Sequence, residues 1–274
     1  MAGSRVALVT GTSSGIGLYA AVGLARSGLR VIATMRDTGK ATALHRAADQ
    51  AGVEVEVRAL DVLDQVQAAA LVADLGRVDV LVNNAGRGSV GTLEQLTLDD
   101  LRAQLEVNYL GVAALTRLVL PGMRAAGAGR VVTVSSVGGA VGQPFADAYC
   151  GAKFAVEGLM QSLAPVAARF GIDVSIVEPA AVASEFVGNV AGTTTPDVDD
   201  PYAPLLAAYL KRTEGAFANA QTPADAAAVV VEAATTSRPK FRWQTSDAAV
   251  AFAGLSLVDL DGSRVLGATT GWLD

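Results

Sequence analysis

The segment Arg5–Thr10, R-V-A-L-V-T, runs without a break into Gly11-Thr12-Ser13-Ser14-Gly15-Ile16-Gly17, and then into Leu18–Ser27, rich in alanine and leucine and closed by Gly28. A continuous apolar strand of this kind is buried on both faces of a parallel sheet. The glycines allow an abrupt turn, and the helix after it is the natural crossover. A chain that opens strand, glycine turn, helix is constrained toward an α/β fold. It also leaves the first helical amides, with the positive end of the helix dipole, at the strand's carboxyl edge. There the backbone at Gly11, Ser13, Ser14, Gly15, Ile16 and Gly17 can approach a pyrophosphate.

The alternation continues. Leu29–Thr34 reads as a second strand, followed by Met35-Arg36-Asp37, and Thr38–Gln50 as a helix. Val53–Leu60 reads as a third strand ending at Asp61-Val62, and Asp64–Leu75 as a helix. Val78–Val82 is a fourth strand leading to Asn83-Asn84-Ala85-Gly86, and Leu98–Val119 one long helix with Asn108 in its middle. Val131–Val134 and Asp173–Val177 are the fifth and sixth strands, the latter ending in Glu178-Pro179-Ala180-Ala181-Val182-Ala183-Ser184. This order predicts a doubly wound parallel sheet of Rossmann type in a single domain spanning 1–274. In such sheets ligands bind beyond the strands' carboxyl ends. The glycine turn, Arg36, Asp61, Asn84, Ser136 and Pro179 all fall there.

From Val187 to Thr222 the pattern weakens. Gly192–Pro201 reads as a mobile loop and Tyr202–Ala218 as an amphipathic helix carrying Leu205, Leu206, Tyr209, Leu210 and Phe217. Inserted near the ligand edge, residues 187–222 are expected to form a helical substrate lid. Pro223–Ala234 reads as a helix, Lys240–Trp243 as a short last strand and Ser246–Leu260 as helical.

The stretch Ser135–Lys153 carries the chemistry. Tyr149 and Lys153 are four apart at the start of a helix and so share one face. An ammonium beside a phenol, whose ordinary pKa is about 10, is expected to lower it and make a general acid or base. Ser136 lies thirteen positions earlier, on a loop long enough to return its hydroxyl to the tyrosine. A lone Y-x-x-x-K is common by chance, usually a half-buried Tyr beside a solvated Lys. Its weight here comes from the surrounding pattern.

Composition excludes other classes. Net charge is −6 and the sequence pI ≈ 4.9, with no basic patch for nucleic acid. The single cysteine, Cys150, allows no intrachain disulfide and reads as a packing residue, which makes a reducing, cytoplasmic setting the expectation. The single histidine, His45, reads as a surface helix residue, and one His with one Cys builds no metal site. Mean hydropathy of +0.38 reflects alanine-rich helices, and no run is long enough to span a membrane.

T-G-T-S-S-G-I-G at Thr10–Gly17, N-N-A-G at Asn83–Gly86, Asn108, Ser136 and Y-x-x-x-K at Tyr149–Lys153 together resemble the short-chain dehydrogenase/reductase family over nearly the whole chain. F-A-D-A-Y-C-G-A-K-F-A-V-E-G-L-M-Q-S-L and the later R-P-K-F-R-W-Q-T-S further resemble the oestradiol-type 17β-hydroxysteroid dehydrogenases and their retinol dehydrogenase relatives. The resemblance implies Tyr149 as acid/base and Lys153 as the group that lowers its pKa and holds the nicotinamide ribose. It implies that Ser136 binds the substrate oxygen, and that Asn108 holds a water linking Lys153 to solvent. Asp61 and Val62 are implied at the adenine, Asn84, Ala85 and Gly86 along the adenosine, and Pro179, Val182 and Ser184 near the nicotinamide. Ser184 would meet the carboxamide. Ala180 replaces the family's usual glycine. Arg212 stands where the steroid enzymes carry a histidine for a distant hydroxyl. A homodimer or homotetramer is implied, built partly from the helices bearing Asn108 and Tyr149, with Leu115, Leu118, Phe154 and Leu159 as apolar positions.

NADP(H) is expected over NAD(H). The acid that reads ribose hydroxyls at the second strand's end is replaced by Thr34 or Met35, and the guanidinium of Arg36 comes next. The expected activity is hydride transfer between this coenzyme and an apolar ketone or aldehyde, or its alcohol. The alternatives are a ketoreductase of a bacterial secondary-metabolite or acyl substrate, a sugar-nucleotide epimerase or dehydratase, and a non-catalytic NADP-binding regulatory protein on the same fold.

Overall fold

The computed structural model describes residues 4–184 and 200–263. Most of the loop expected at Gly192–Pro201, with Phe186 and the first part of the lid segment, lies outside the described residues.

Seven parallel strands form one sheet in the order β3-β2-β1-β4-β5-β6-β7. They are β1 Val6–Thr10, β2 Arg30–Met35, β3 Glu56–Ala59, β4 Val80–Asn83, β5 Gly129–Val134, β6 Ile172–Glu178 and β7 Arg242–Gln244. The helices are α1 Gly15–Arg26, α2 Thr42–Ala51, α3 Gln65–Leu75, α4 Leu98–Leu105, α5 Gly111–Ala126, α6 Asp147–Ala168, α7 Ala203–Ala218, α8 Pro223–Thr235 and α9 Asp247–Ala253. The chain runs outward from β1 to β3, then returns to add β4 beside β1. A crevice therefore opens between β1 and β4 at their carboxyl ends, the switch point of a doubly wound sheet.

Both faces of the sheet are covered. Along β1, Ala7 and Val9 pack on one side with Leu24, Leu44 and Val230, while Val6 and Leu8 pack on the other with Leu71, Leu115 and Met160. Period-2 alternation thus has apolar partners on both faces, which is why β1 reads as an unbroken apolar run. Leu115 belongs to this core, so it is not part of an oligomer surface. Leu118 and Leu159 are partly buried against the same core, and Phe154 is 46% exposed.

Three elements differ from the sequence reading. The long helix expected over Leu98–Val119 is continuous and runs on to Ala126, but it contains a π-helical turn, Glu106–Leu110, between α4 and α5. The insertion sits at Asn108, and π turns of this kind concentrate at functional sites. The stretch Ser246–Leu260 is helical only over Asp247–Ala253, where the Ser246 side chain caps Ala249 N. The last strand is shifted to Arg242–Gln244, in register with Ile176–Glu178.

The glycine turn is set by close approach. A Cβ on Gly17 would lie 2.3 Å from both Asn84 Nδ2 and the Gly11 carbonyl oxygen, and Gly11 itself has φ of +69°. The Gly17→Ala variant is expected to lose about 1–3 kcal/mol of stability, the usual range for overpacking. That corresponds to roughly 3–10 °C in Tm by scanning calorimetry for a chain of this size.

Candidate functional site

Thr10, the last residue of β1, organises the crevice. Its Oγ1 accepts hydrogen bonds from Asn84 N at 3.0 Å and Ala85 N at 2.9 Å. In return the Asn84 Nδ2 donates to the carbonyls of Thr10 and Gly11, both at 2.9 Å. The side-chain amide of Asn84 is thus committed to the backbone. It holds the turn at Gly11 against the residues just past β4.

The α1 N-terminus faces the same crevice. Ser14 is its N-cap in extended conformation, and the Ser14 side chain makes no capping hydrogen bond. The first helical amides, at Gly15, Ile16 and Gly17, are the orphan donors of that end. Gly15 has φ of +61°, and a Cβ there would lie 3.4 Å from Ser184 Cβ, so Ser184 lies over the first turn of α1. The 179–184 segment is pinned on two sides. The Pro179 carbonyl accepts from Val137 N, and Val182 is bridged to Gln221. Among the described residues the non-glycine residue with positive φ is Phe145, so Ala180 fits this backbone without glycine's freedom.

At the outer edge, Arg36 is exposed just past β2. Asp37 turns its carboxylate into its own turn, accepting from Gly39 N at 2.9 Å. Asp61 does likewise toward Leu63 N at 3.0 Å, while its own amide donates to Gln67 Oε1. Val62 packs toward Gly111 at the end of the π turn.

The third group lies at the ends of β4 and β5. Asn108, 1% exposed, accepts from Arg87 N through Oδ1 and donates from Nδ2 to the Arg87 carbonyl and to Gln104 Oε1. It fastens the loop after N-N-A-G. A Cβ on Gly86 would lie 2.9 Å from Asn108 Oδ1 and 3.8 Å from Lys153 Nζ, so only a bare backbone fits between them. Lys153 is buried, donates to the Val134 carbonyl at 3.0 Å, and sits 5.8 Å from the Tyr149 ring centroid. Ser136 is extended, accepts from Gly138 N at 3.0 Å, and hydrogen-bonds Tyr149.

The electrostatics differ from the simple expectation. Burial pushes the Tyr149 phenol up to about 12, against the Ser136 hydrogen bond, which pulls it down. Burial also pulls Lys153 down to about 8, opposed by the charge of Glu157. The ammonium lies beside the ring and is spent on a backbone carbonyl, while Cys150 and Glu157 add to the upward push of burial on the phenol.

Sequence reasoning missed the charged layer beneath this site. Glu157 accepts from Ser135 Oγ at 2.6 Å and from Arg242 Nη1 at 2.6 Å. Arg242 also donates to Glu178, whose other oxygen accepts from Gln244. One signal was available: Glu157 extends the four-residue spacing of Tyr149 and Lys153 along α6.

The family model for short chain dehydrogenases matches residues 5–194. The chain belongs to the short-chain dehydrogenase family. It is 39% identical to human (Homo sapiens) retinol dehydrogenase 8, with 96% of this chain and 88% of that protein covered. It is 38% identical to the 17-beta-hydroxysteroid dehydrogenase type 1 of Mus musculus, with 96% of this chain and 80% of that protein covered. A short chain dehydrogenase/reductase from Burkholderia phymatum, solved in complex with NAD, superposes with a TM-score of 0.79 at 27% identity over 92% of each chain. Among the described residues no helix is long and apolar enough to cross a membrane, and no group of His, Cys, Asp and Glu could hold a metal.

Replacing Asn84 with Ala would orphan two backbone carbonyls in the crevice. The Asn84→Ala variant is expected to be about 1–3 kcal/mol less stable, from two lost hydrogen bonds, as read by urea denaturation with an unchanged m-value.

Proposed function

We propose that this protein is an NADP(H)-dependent oxidoreductase that interconverts an apolar ketone or aldehyde and its alcohol. The observation that carries the reading is the hydrogen-bonded pair of hydroxyls, Ser136 and Tyr149, set beside the buried ammonium of Lys153 past the end of β5.

The residues present fit a dinucleotide. The uncapped α1 N-terminus at Ser13, Ser14, Gly15, Ile16 and Gly17 suits its pyrophosphate, with Gly11 forming the turn. Asp61, Val62, Asn84, Ala85 and Gly86 line the adenosine side. Pro179, Val182 and Ser184 suit the nicotinamide, and Tyr149 and Lys153 its ribose. When bound, the nicotinamide supplies or accepts the hydride at the substrate carbon. Ser136 holds the substrate oxygen and Tyr149 exchanges the proton with it. A phenol pushed up to about 12 stays protonated at neutral pH, which suits it as the proton donor in reduction. The ammonium of Lys153 then stabilises the phenolate left behind, and Asn108 holds the loop against which Lys153 packs.

NADP(H) over NAD(H) rests on Arg36, exposed at the end of β2 while Asp37 is occupied by its own turn. An apolar substrate rests on α7 and on the names of the two relatives. In α7, Leu206 is 2% exposed and the Tyr209 ring lies 5.5 Å from that of Phe145, which supports reading this helix as part of a substrate lid. Leu205 and Leu210 face outward, as does Arg212. The assembly in this reading is a homodimer or homotetramer through the faces of α5 and α6, where Phe154 is exposed.

The Tyr149→Phe variant is expected to lose about 10²–10⁴-fold in kcat on its best apolar ketone, the usual range for a lost general acid. Coenzyme Kd by fluorescence should stay within a few-fold. Retention of half the wild-type kcat would show that another group moves the proton. For the coenzyme, Arg36→Ala is expected to lower kcat/KM for NADPH by about ten- to a hundredfold, the scale of a lost charge-assisted contact. NADH turnover should be unchanged. A wild-type preference for NADH would overturn the assignment of Arg36.

A further inference from the structure

Beneath the Ser136 loop lies a charged layer that hydride and proton transfer do not themselves use. Glu157 is 3% exposed, Glu178 0% and Arg242 6%. They come from α6, β6 and β7, three elements that meet only because β7 is added to the sheet's edge. Burying three charges is costly unless each is paired and hydrogen-bonded. Each one is. The Arg242 Nη1 bridges both carboxylates, Gln244 Nε2 donates to the second oxygen of Glu178, and Ser135 Oγ donates to the second oxygen of Glu157.

The connections out of this layer point at the active site. Lys153 and Glu157 stand one above the other on α6. Lys153 donates to the carbonyl of Val134, and Glu157 accepts from the hydroxyl of Ser135. Two consecutive residues at the end of β5 are therefore gripped from one helix face, and the next residue is Ser136. The loop is shaped for this grip. A Cβ on Gly139 would lie 2.1 Å from Glu157 Oε1 and 2.7 Å from Ser135 Oγ, so glycine is what admits the carboxylate under the loop.

We propose that Glu157, held by Arg242, is a positioning residue for the reaction: it fixes the Ser135–Ser136 loop and places a negative charge one helical turn from Lys153. The proposal rests on the roles assigned to Ser136, Tyr149 and Lys153. The titratable groups around Lys153 are Tyr149 and Glu157 on α6, with Cys150 beside the tyrosine. Through Glu157 come Glu178 on β6 and Arg242 on β7. The groups from β5 and the π turn, the Val134 carbonyl and Asn108, are neutral. The negative charge of Glu157 opposes the desolvation of Lys153, and burial together with the neighbouring Glu157 pushes the Glu178 carboxyl up to about 7.

Two variants separate the parts of the claim. Glu157→Gln keeps the shape and removes the charge. Ser135→Ala removes one hydrogen bond and changes no charge. The first readout is an NMR titration of Lys153 in the free protein with carbon-labelled lysine, resolved from Lys40, Lys211 and Lys240. It needs no turnover, so its outcome is independent of whether the chain reduces carbonyls. In Glu157→Gln the Lys153 midpoint should fall enough to raise its deprotonated fraction at pH 7 about threefold or more. In Ser135→Ala, and in Glu178→Gln, it should not fall. The second readout is turnover. Ser135→Ala should lower kcat about ten- to a hundredfold with KM within about twofold, the signature of a misplaced catalytic group. The alkaline limb of kcat in Glu157→Gln should move to lower pH. An unmoved Lys153 titration in Glu157→Gln, or the same fall in Glu178→Gln, overturns the electrostatic part. Wild-type kcat in Ser135→Ala overturns the positioning part and decides it even where Glu157→Gln does not fold.

Discussion

The clasp between Thr10 and Asn84 is the contact on which the rest of the site depends. It joins β1 to the residue just past β4, the two neighbouring strands from which the chain winds in opposite directions. Four hydrogen bonds, each 2.9 or 3.0 Å, hold the turn of Gly11 against the start of N-N-A-G. Gly17 then has no room for a side chain, and the α1 N-terminus is fixed at the crevice. On the other side of the clasp, Gly86 is placed between Asn108 and Lys153. A side-chain clasp between two strand ends is thereby linked to the ammonium beside Tyr149.

Burial, more than charge proximity, sets the character of Tyr149 and Lys153. Tyr149 is driven up and Lys153 down by the same loss of water. Both shifts favour the neutral forms. Below them, two carboxylates and one guanidinium share a dry layer in which each charge is met by hydrogen bonds. Pairing of this kind contributes little net stability. Its more evident effect is geometric, because it ties β7 and β6 to the loop that carries Ser136.

The sheet was legible because its strands are apolar on both faces. The runs at Val6–Val9, Val80–Val82 and Val131–Val134 have no polar alternative, and the glycine turn dictates a helix after β1. Residues at strand ends, such as Asn84 and Ser136, could be located to the extent that strand ends were. The roles of Asn84 and Asp61 were harder, since only three dimensions show their side chains bonding their own surroundings. The π turn at Asn108 was invisible, because Glu106–Leu110 has ordinary helical composition and the extra residue is absorbed by hydrogen bonding. Glu157, Glu178 and Arg242 escaped because Arg242 lies 85 positions from Glu157 and 64 from Glu178.

Phe145 shows how α7 and α6 are made to agree. Its φ of 59° is a left-handed conformation that costs a bulky residue about 1–2 kcal/mol, and the surroundings must hold it there. They do so from three directions. Its carbonyl accepts from Gly91 N at 2.8 Å, its side chain is buried, and the Tyr209 ring of α7 lies tilted over it. The strained residue stands two positions before α6, so the direction in which α6 sets out, and hence where Tyr149 points, is coupled to this cluster. The start of α7 is anchored to the same region, Tyr202 donating to Glu94 and Gln95 to Asp200. Displacing α7 would remove the ring that covers Phe145 and free the chain to relax. The packing of Tyr209 on Phe145 therefore ties the position of α7 to the start of α6.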